Sequence, residues 1–301
     1  GMGDRTVGSS RSVEGKQVMR WVAALIAAVT VFAARPALAW GEFGHHTTAS
    51  IAWANVTPET RRALSQLLRA EASLGTPACR VRNLEEASYW PDCIRRDAWR
   101  WAYSFAWHYQ TMNVCKPYDP RANCSGGNCV TGQIERSRRV LADKSLPAAA
   151  RLEALAWLTH FVGDLHMPLH SGDHDDRGGN DLDAKYGMAP GRNLHAIWDG
   201  PQAERGITSA VPPLIRRYSA EDRAALDTGN VADWGRESWE LARNLVYRKA
   251  YERDPCEAGE KPTEVVWSNE DIEASIPTLQ RRISQAGLRL ARLLDQAIAA
   301  R

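Results

Sequence analysis

The stretch that constrains this chain most is Leu158–His170, which reads LTHFVGDLHMPLH. Leu155, Leu158, Phe161, Val162 and Leu165 recur at helical spacing. His160 and Asp164 stand four residues apart, so a helix stacks them on one face. Pro168 stops the helix and leaves His170 at its end. A shorter copy follows in Asn193–Asp199 (NLHAIWD), where His195 and Asp199 are again four apart. Imidazole and carboxylate at this spacing can grip one ion from one helix face. The other reading of each pair is a helical salt bridge. All eight histidines lie between His45 and His195, a clustering that favours metal.

Residues 1–39 read as a secretory leader. Lys16 and Arg20 supply a basic start, Trp21–Ala34 an apolar run, and Ala37-Leu38-Ala39 a cleavage signal. A retained membrane anchor is the alternative, but the run is short for a bilayer. Cleavage after Ala39 makes Trp40 the new N-terminus, with a free amine that can itself ligate a metal. The leader carries five of the 38 Lys and Arg and two of the 36 Asp and Glu, leaving 33 against 34 and a formal net charge of −1. A strongly basic nucleic-acid footprint is thus absent, and a polyanion would be held by metal ions and local arginines. Residues 40–301 can bury one large core, and no linker divides them. Six cysteines suit an oxidising compartment. Cys115, Cys124 and Cys129 crowd one loop and predict at least one local bridge; Cys79, Cys93 and Cys256 complete the set, and the pairing stays open.

The pattern is mainly helical. Helices are predicted over Glu42–Val56, Pro58–Glu71 behind an N-capping Thr57, Leu84–Arg95, Thr131–Lys144, Ala148–Met167, Asn193–Asp199, Asp233–Tyr251 and Asp271–Ala299. Short strands are predicted near Ala102–Thr111 and Asp181–Tyr186.

Beyond the two His-x-x-x-Asp pairs, His45 lies five residues from the prospective amine, Asp92 follows Trp90-Pro91, and His108 sits in Trp107-His108-Tyr109. With His160, Asp164, His170, His195 and Asp199 these make five histidines, three aspartates and one amine. A zinc ion takes three or four protein ligands, so nine ligating residues suit three ions, with an aspartate bridging two.

These residues sit in WGEFGH (Trp40–His45), WPD (Trp90–Asp92), WHY (Trp107–Tyr109), THFVGDLHMPLH (Thr159–His170), RGGND (Arg177–Asp181) and NLHAIWD. Taken together the chain resembles the S1/P1 nuclease family, within the zinc-dependent phospholipase C/P1 nuclease superfamily. The resemblance implies a mostly α, single-domain helical fold with a few short strands, and three Zn2+ per chain. It implies that Asp92, His108, His160 and Asp164 hold the first zinc. The Trp40 amine and carbonyl, His45 and Asp164 hold a second, and His170, His195 and Asp199 the third. It further implies a secreted or periplasmic enzyme that hydrolyses single-stranded DNA and RNA to 5′-phosphates and acts on 3′-nucleotides. No stable membrane association follows once the leader is gone, and no obligate protein partner is evident. Asp92, Arg95 and Asp164 carry the chemistry; Arg95 contacts phosphate, Tyr109 stacks a base, and Asn180 faces the site or serves its turn. Fungal members carry an aspartate where Thr111 stands, which removes a basis for purine preference. His46 and His166 are read as supporting residues, and His174, Asp175 and Asp176 as solvated loop. A phospholipase C of the same superfamily and a non-catalytic zinc-binding protein are the competing readings. The last hundred residues match no motif and are read as supporting helices.

Overall fold

The fold grows around Ala148–His166, a helix buried on every side from Ala154 to His166. The computed structural model describes residues 40–300; the leader expected over residues 1–39 lies outside them. In chain order the principal helices are α1 (Gly41–Asn55), α2 (Pro58–Leu68), α3 (Leu84–Cys93), α4 (Val130–Ala142), α5 (Ala148–His166), α6 (Leu194–Asp199), α7 (Pro201–Thr208), α8 (Val231–Leu241) and α9 (Asn269–Ala299). Their starts are chemically marked. Thr57 accepts from the Thr60 amide ahead of Pro58, Asn83 from Glu86, and Asn193 from Ala196. Asn230 with Asp233, and Ser268 with Asp271, form reciprocal capping boxes. Helix α5 ends at His166 because Met167, the residue before Pro168, is extended.

Strands are few. β1 (Met112–Asn113) pairs in parallel with β2 (Gly172–Asp173). β3 (Asp183–Tyr186) is central to a second sheet, antiparallel to β4 (Ala189–Asn193) and parallel to β5 (Glu264–Trp267). Two apolar clusters form the core. Leu158–Leu165 belong to one, with Trp90, Trp101 and Trp157; Met167 and Leu169 belong to the other, with Trp198, Trp239 and Trp267. The segment Leu158–His170 therefore crosses from one cluster to the other.

The helix boundaries agree with the sequence to within a few residues, with one departure: Asp233–Tyr251 is interrupted by a π-helical turn at Ala242–Tyr247. The strand expected over Ala102–Thr111 is a correction. Ala102–His108 is a 3-10 helix, and the nearby strand is just Met112–Asn113. Aromatics alternate along Trp101, Tyr103, Phe105 and Trp107 and so imitate a strand, but Trp101, Ser104 and His108 are the buried positions. Tertiary packing selects a three-to-four-residue period there. The sequence also does not anticipate α7, β4 or β5.

All six cysteines are bridged: Cys124 to Cys129, the local link expected, Cys79 to Cys93, and Cys115 to Cys256. The last closes a long loop, a constraint of about 4 to 5 kcal/mol in the chain-entropy account. It ties the C-terminal third to the segment after His108.

Behind α5, two buried arginines of α9 form the main polar support. Arg282 donates from Nε to the His166 carbonyl (3.2 Å) and from Nη2 to Ser238 Oγ (2.6 Å). Ser238 in turn donates to the Leu165 carbonyl (2.5 Å). Arg289 grips Glu237 with both Nη atoms (2.6 and 2.9 Å) and donates to His166 Nε2 (2.9 Å). Burial and the two guanidiniums hold His166 well below its ordinary pKa, so its ring is neutral and engaged. Burial would raise Glu237, but Arg289 and Arg282 override it and hold the carboxylate low. Removing Glu237 strands two buried cations. The side chain is 34% exposed, so Glu237→Gln is expected to cost roughly 2 to 3 kcal/mol, under the 3 to 5 of a fully buried pair. Because the folded pKa is depressed, this stability is present above the unfolded pKa of glutamate and lost as pH falls through the folded value. Urea unfolding at pH 7 and 3.5 should show the wild-type advantage shrinking at the lower pH.

Candidate metal centre

Four elements deliver the candidate ligands. Helix α1 brings His45, α3 brings Asp92, the 3-10 helix ends at His108, and α5 brings His160 and Asp164; all are buried. Their atoms converge. His108 Nδ1 lies 3.0 Å from His160 Nε2, and both lie 3.1 Å from Asp164 Oδ2. Asp92 Oδ1 stands 3.7 Å from each histidine nitrogen. Donors about 2.0 to 2.1 Å from a tetrahedral ion are roughly 3.4 Å apart, so these separations are close to the edges of one coordination tetrahedron. The other Asp164 oxygen, Oδ1, faces His45 Nε2 at 3.2 Å. A second group lies on the short turn after α5 and on α6: His170, His195 and Asp199, with His195 Nε2 3.0 Å from Asp199 Oδ2. Thus the residues fall into three groups able to hold ions: His45 with Asp92 and His160; His108 with His160 and Asp164; His170 with His195 and Asp199.

Buried atoms without hydrogen-bond partners concentrate here. They include both Asp92 oxygens, both His45 nitrogens, Asp164 Oδ1, His170 Nε2 and Asp199 Oδ2. Orphaned acceptors at this density are costly in a protein interior, and a cation satisfies them. On three of the histidines the far ring nitrogen is occupied. Nδ1 donates to the Ser88 carbonyl from His160 (2.6 Å), to the His108 carbonyl from His170 (2.6 Å) and to the Gly178 carbonyl from His195 (2.7 Å). Each bond turns the Nε2 lone pair inward. Gly178 has φ of +63°, and a Cβ there would meet the Leu169 carbonyl at 2.3 Å. Gly163, inside α5, admits His45: a Cβ would stand 2.8 Å from His45 Nδ1. These two glycines and Ser88 are functional positions that ligand spacing does not reveal; a lone glycine within a buried helix was the available signal for Gly163. Backbone bonds from Gln110 and Met112 to the carbonyls of His170 and Ser171 (both 2.9 Å) stitch the His108 segment to the second group.

The electrostatics suit metal binding. Burial holds His108 and His170 down to about 4, so both are neutral near pH 7. Burial lifts Asp92 to about 6. Burial also opposes charge on His160 and Asp164, but their mutual attraction dominates, raising His160 to about 9 and holding Asp164 well below the carboxylate range. The buried Asp164 carboxylate thus calls for positive charge beside it, which a bound ion supplies; ligands must shed protons to bind it, so binding weakens in acid.

The remaining sequence candidates stand outside these three groups. Arg95 Nη1 lies 3.9 Å from Asp92 Oδ1, with its guanidinium 4.9 Å from the Phe105 ring. Tyr109 is exposed and does not pack in the core. The Asn180 amide donates to the Arg177 carbonyl (2.8 Å), a turn contact. Trp40 is fully buried, and its backbone N–H donates to Asp199 Oδ1 (3.1 Å). His46 stands 3.9 Å from Glu42 and lines a surface cleft with Asp199. The solvated-loop reading holds for Asp175 but not for its neighbours. His174 is buried, its Nδ1 2.8 Å from the Tyr251 hydroxyl, and Asp176 accepts from Tyr247 (2.5 Å), because the C-terminal third folds over this loop.

A mostly helical chain with three buried His/Asp groups, two of them adjoining across the Asp164 carboxylate, defines a protein built to hold several metal ions. The S1/P1 nuclease family model matches residues 40–299, and the chain belongs to that family. It is similar to Endonuclease 3 of Arabidopsis thaliana, 27% identical over 95% of this chain and 98% of that protein. It is also similar to Endonuclease 4 of the same plant, 28% identical over 86% and 89%. Nuclease S1 of Aspergillus oryzae is 24% identical over 90% and 96%. The chain is a metal-dependent nuclease, and nucleic acid is its substrate class.

The shared carboxylate can be tested by metal counting. Asp164→Asn is expected to lose more than one metal equivalent, and Asp199→Asn at most one, by elemental analysis of the purified variants. Equal losses would contradict the bridge.

Proposed function

We propose that this chain is a zinc-dependent nuclease acting on single-stranded DNA and RNA, with 3′-nucleotidase activity. The observation that carries this reading is the split of the Asp164 carboxylate, Oδ2 toward His108 and His160 and Oδ1 toward His45. A carboxylate so divided serves two neighbouring ions. Mixed imidazole and carboxylate donors at tetrahedral spacing suit zinc. Asp92, His108, His160 and Asp164 would hold one ion, and His45, Asp164 and Trp40 a second. His170, His195 and Asp199 would hold a third. Bound there, zinc supplies positive charge for the phosphate oxygens and acidifies water near neutral pH.

The chain's own residues do the rest. Arg95, at the rim beside Asp92, would brace the phosphate through charge-assisted hydrogen bonds. Tyr109, exposed next to His108, would take a base on its ring without reading sequence. Water adds to phosphorus while the P–O3′ bond breaks; the 3′ oxygen takes a proton and the phosphate stays on the 5′ side. A base that must lie flat on Tyr109 favours single strands, since paired bases are already stacked. Assays with single-stranded DNA, RNA, 3′-AMP and phosphatidylcholine separate the readings. Activity on the first three is expected, and Arg95→Ala should lower kcat by about 10²- to 10³-fold. Hydrolysis of the lipid alone would establish the phospholipase, and turnover of none would leave a zinc-binding protein.

We also propose that residues 1–39 are a leader removed on export, which places the enzyme outside the cytoplasm. In the chain carrying residues 1–39 the Trp40 nitrogen is an amide donating its proton to Asp199, and an amide is a poor zinc ligand. Cleavage after Ala39 would free an amine with a lone pair. A chain carrying one extra glycine before Trp40 is expected to bind about one zinc fewer and to lose most of its activity. Equal zinc content and equal rates on single-stranded DNA would refute this.

A further inference from the structure

One surface next to the metal centre has no part in it. Trp99, in the helical turn Ala98–Trp101, is 88% exposed. Tyr103 is 57% exposed and stands edge-on to Trp107 at 5.3 Å, which rests on buried Trp157 at the same distance. Arginines lie among these rings. The Arg136 guanidinium sits 5.8 Å from Trp107, whereas that of Arg100, 4.5 Å from the buried Trp101 ring, is engaged by the Gly75 and Leu74 carbonyls (both 3.0 Å). Arg96 and Arg136 are exposed. The acids nearby are fewer: Asp97, and Glu153, whose carboxylate accepts from Trp157 Nε1 (3.2 Å). On a chain with a net charge of −1 beyond the leader, this is a local basic and aromatic face.

We propose that this face is a second binding stretch for single-stranded nucleic acid, continuing the strand away from the scissile phosphate. The proposal rests on the single-strand reading above. Three observations support it. The first is continuity: Phe105 lies one 3-10 turn before His108 and carries Arg95, which faces Asp92, so the track begins at the centre. The second is spacing. At about 2.0 Å rise per residue, the 3-10 helix Ala102–His108 advances roughly 12 Å toward the centre, the length of three to four stacked steps of about 3.4 Å. The third is chemistry: uncovered rings stack on any base, and arginines between them meet phosphates. Trp and Arg also suit a membrane interface, but that role would not need the track to lead into the metal centre.

The test compares the mature enzyme with Trp99→Ala, Trp99→Phe and Arg136→Gln on two substrates. The dinucleotide TpT reaches only the metal centre; an oligothymidylate of about 20 residues also reaches the track. Trp99→Ala should lower kcat/KM on the long substrate roughly 5- to 100-fold while TpT hydrolysis stays within about twofold, and Trp99→Phe should restore most of the loss. Arg136→Gln should flatten the salt dependence of binding by about one phosphate contact. Because Trp99 is uncovered, its replacement spares the fold. An unchanged ratio between the two substrates would overturn the proposal. So would a parallel loss on both, or loss only of binding to anionic phospholipid vesicles. If the wild type cleaves neither substrate, the single-strand reading itself fails. Fluorescence anisotropy of the labelled oligothymidylate then still decides, since equal affinity of wild type and Trp99→Ala would overturn the second stretch.

Discussion

The structure depends on one buried carboxylate. Asp164 lies inside a helix with no solvent-facing side over its last thirteen residues, and an ionised carboxylate in such a place is tolerated only with positive charge beside it. His45, His108 and His160 all turn a nitrogen toward it. The rest of the fold can be understood as the means of bringing those nitrogens there. Helices α1 and α3 pack against α5, Gly163 removes the side chain that would hold α1 off, and the 3-10 helix ends where His108 meets both partners. A cation in this position satisfies the orphaned oxygens of Asp92 and Asp164 together, so folding and metal binding share one electrostatic solution.

The second group is built differently. His170, His195 and Asp199 stand on a short turn and on the short helix α6 rather than on long packed helices. Their geometry comes from backbone atoms: the His108 and Gly178 carbonyls orient the two imidazoles, and the β1–β2 pairing fixes one ligand segment against the other. The C-terminal third supplies no candidate ligand. It contributes Arg282 and Arg289 against the end of α5, Tyr247 and Tyr251 against the loop before His195, and the bridge from Cys256 to Cys115. Precision at the centre is thus maintained from outside it, in part by two buried arginines that share the Glu237 carboxylate.

The sequence by itself determined the helical class, the Thr57 cap, the end of α5 at Pro168, and the histidines and aspartates that converge. Helical periodicity, proline geometry and the i, i+4 rule are local, and each acts within a few residues. It also located the one loop whose cysteines bridge locally. Only the tertiary structure decided how those residues divide among three groups, which oxygen of Asp164 faces which histidine, and which carbonyls orient the rings, since most of these contacts join segments more than fifty residues apart. It overturned the strand at Ala102–Thr111, where alternating aromatics carry the local signature of a strand but the burial of Trp101, Ser104 and His108 imposes a helical period. It also withdrew His174 from solvent, because Tyr251 lies far off in sequence and no local rule could bring it there.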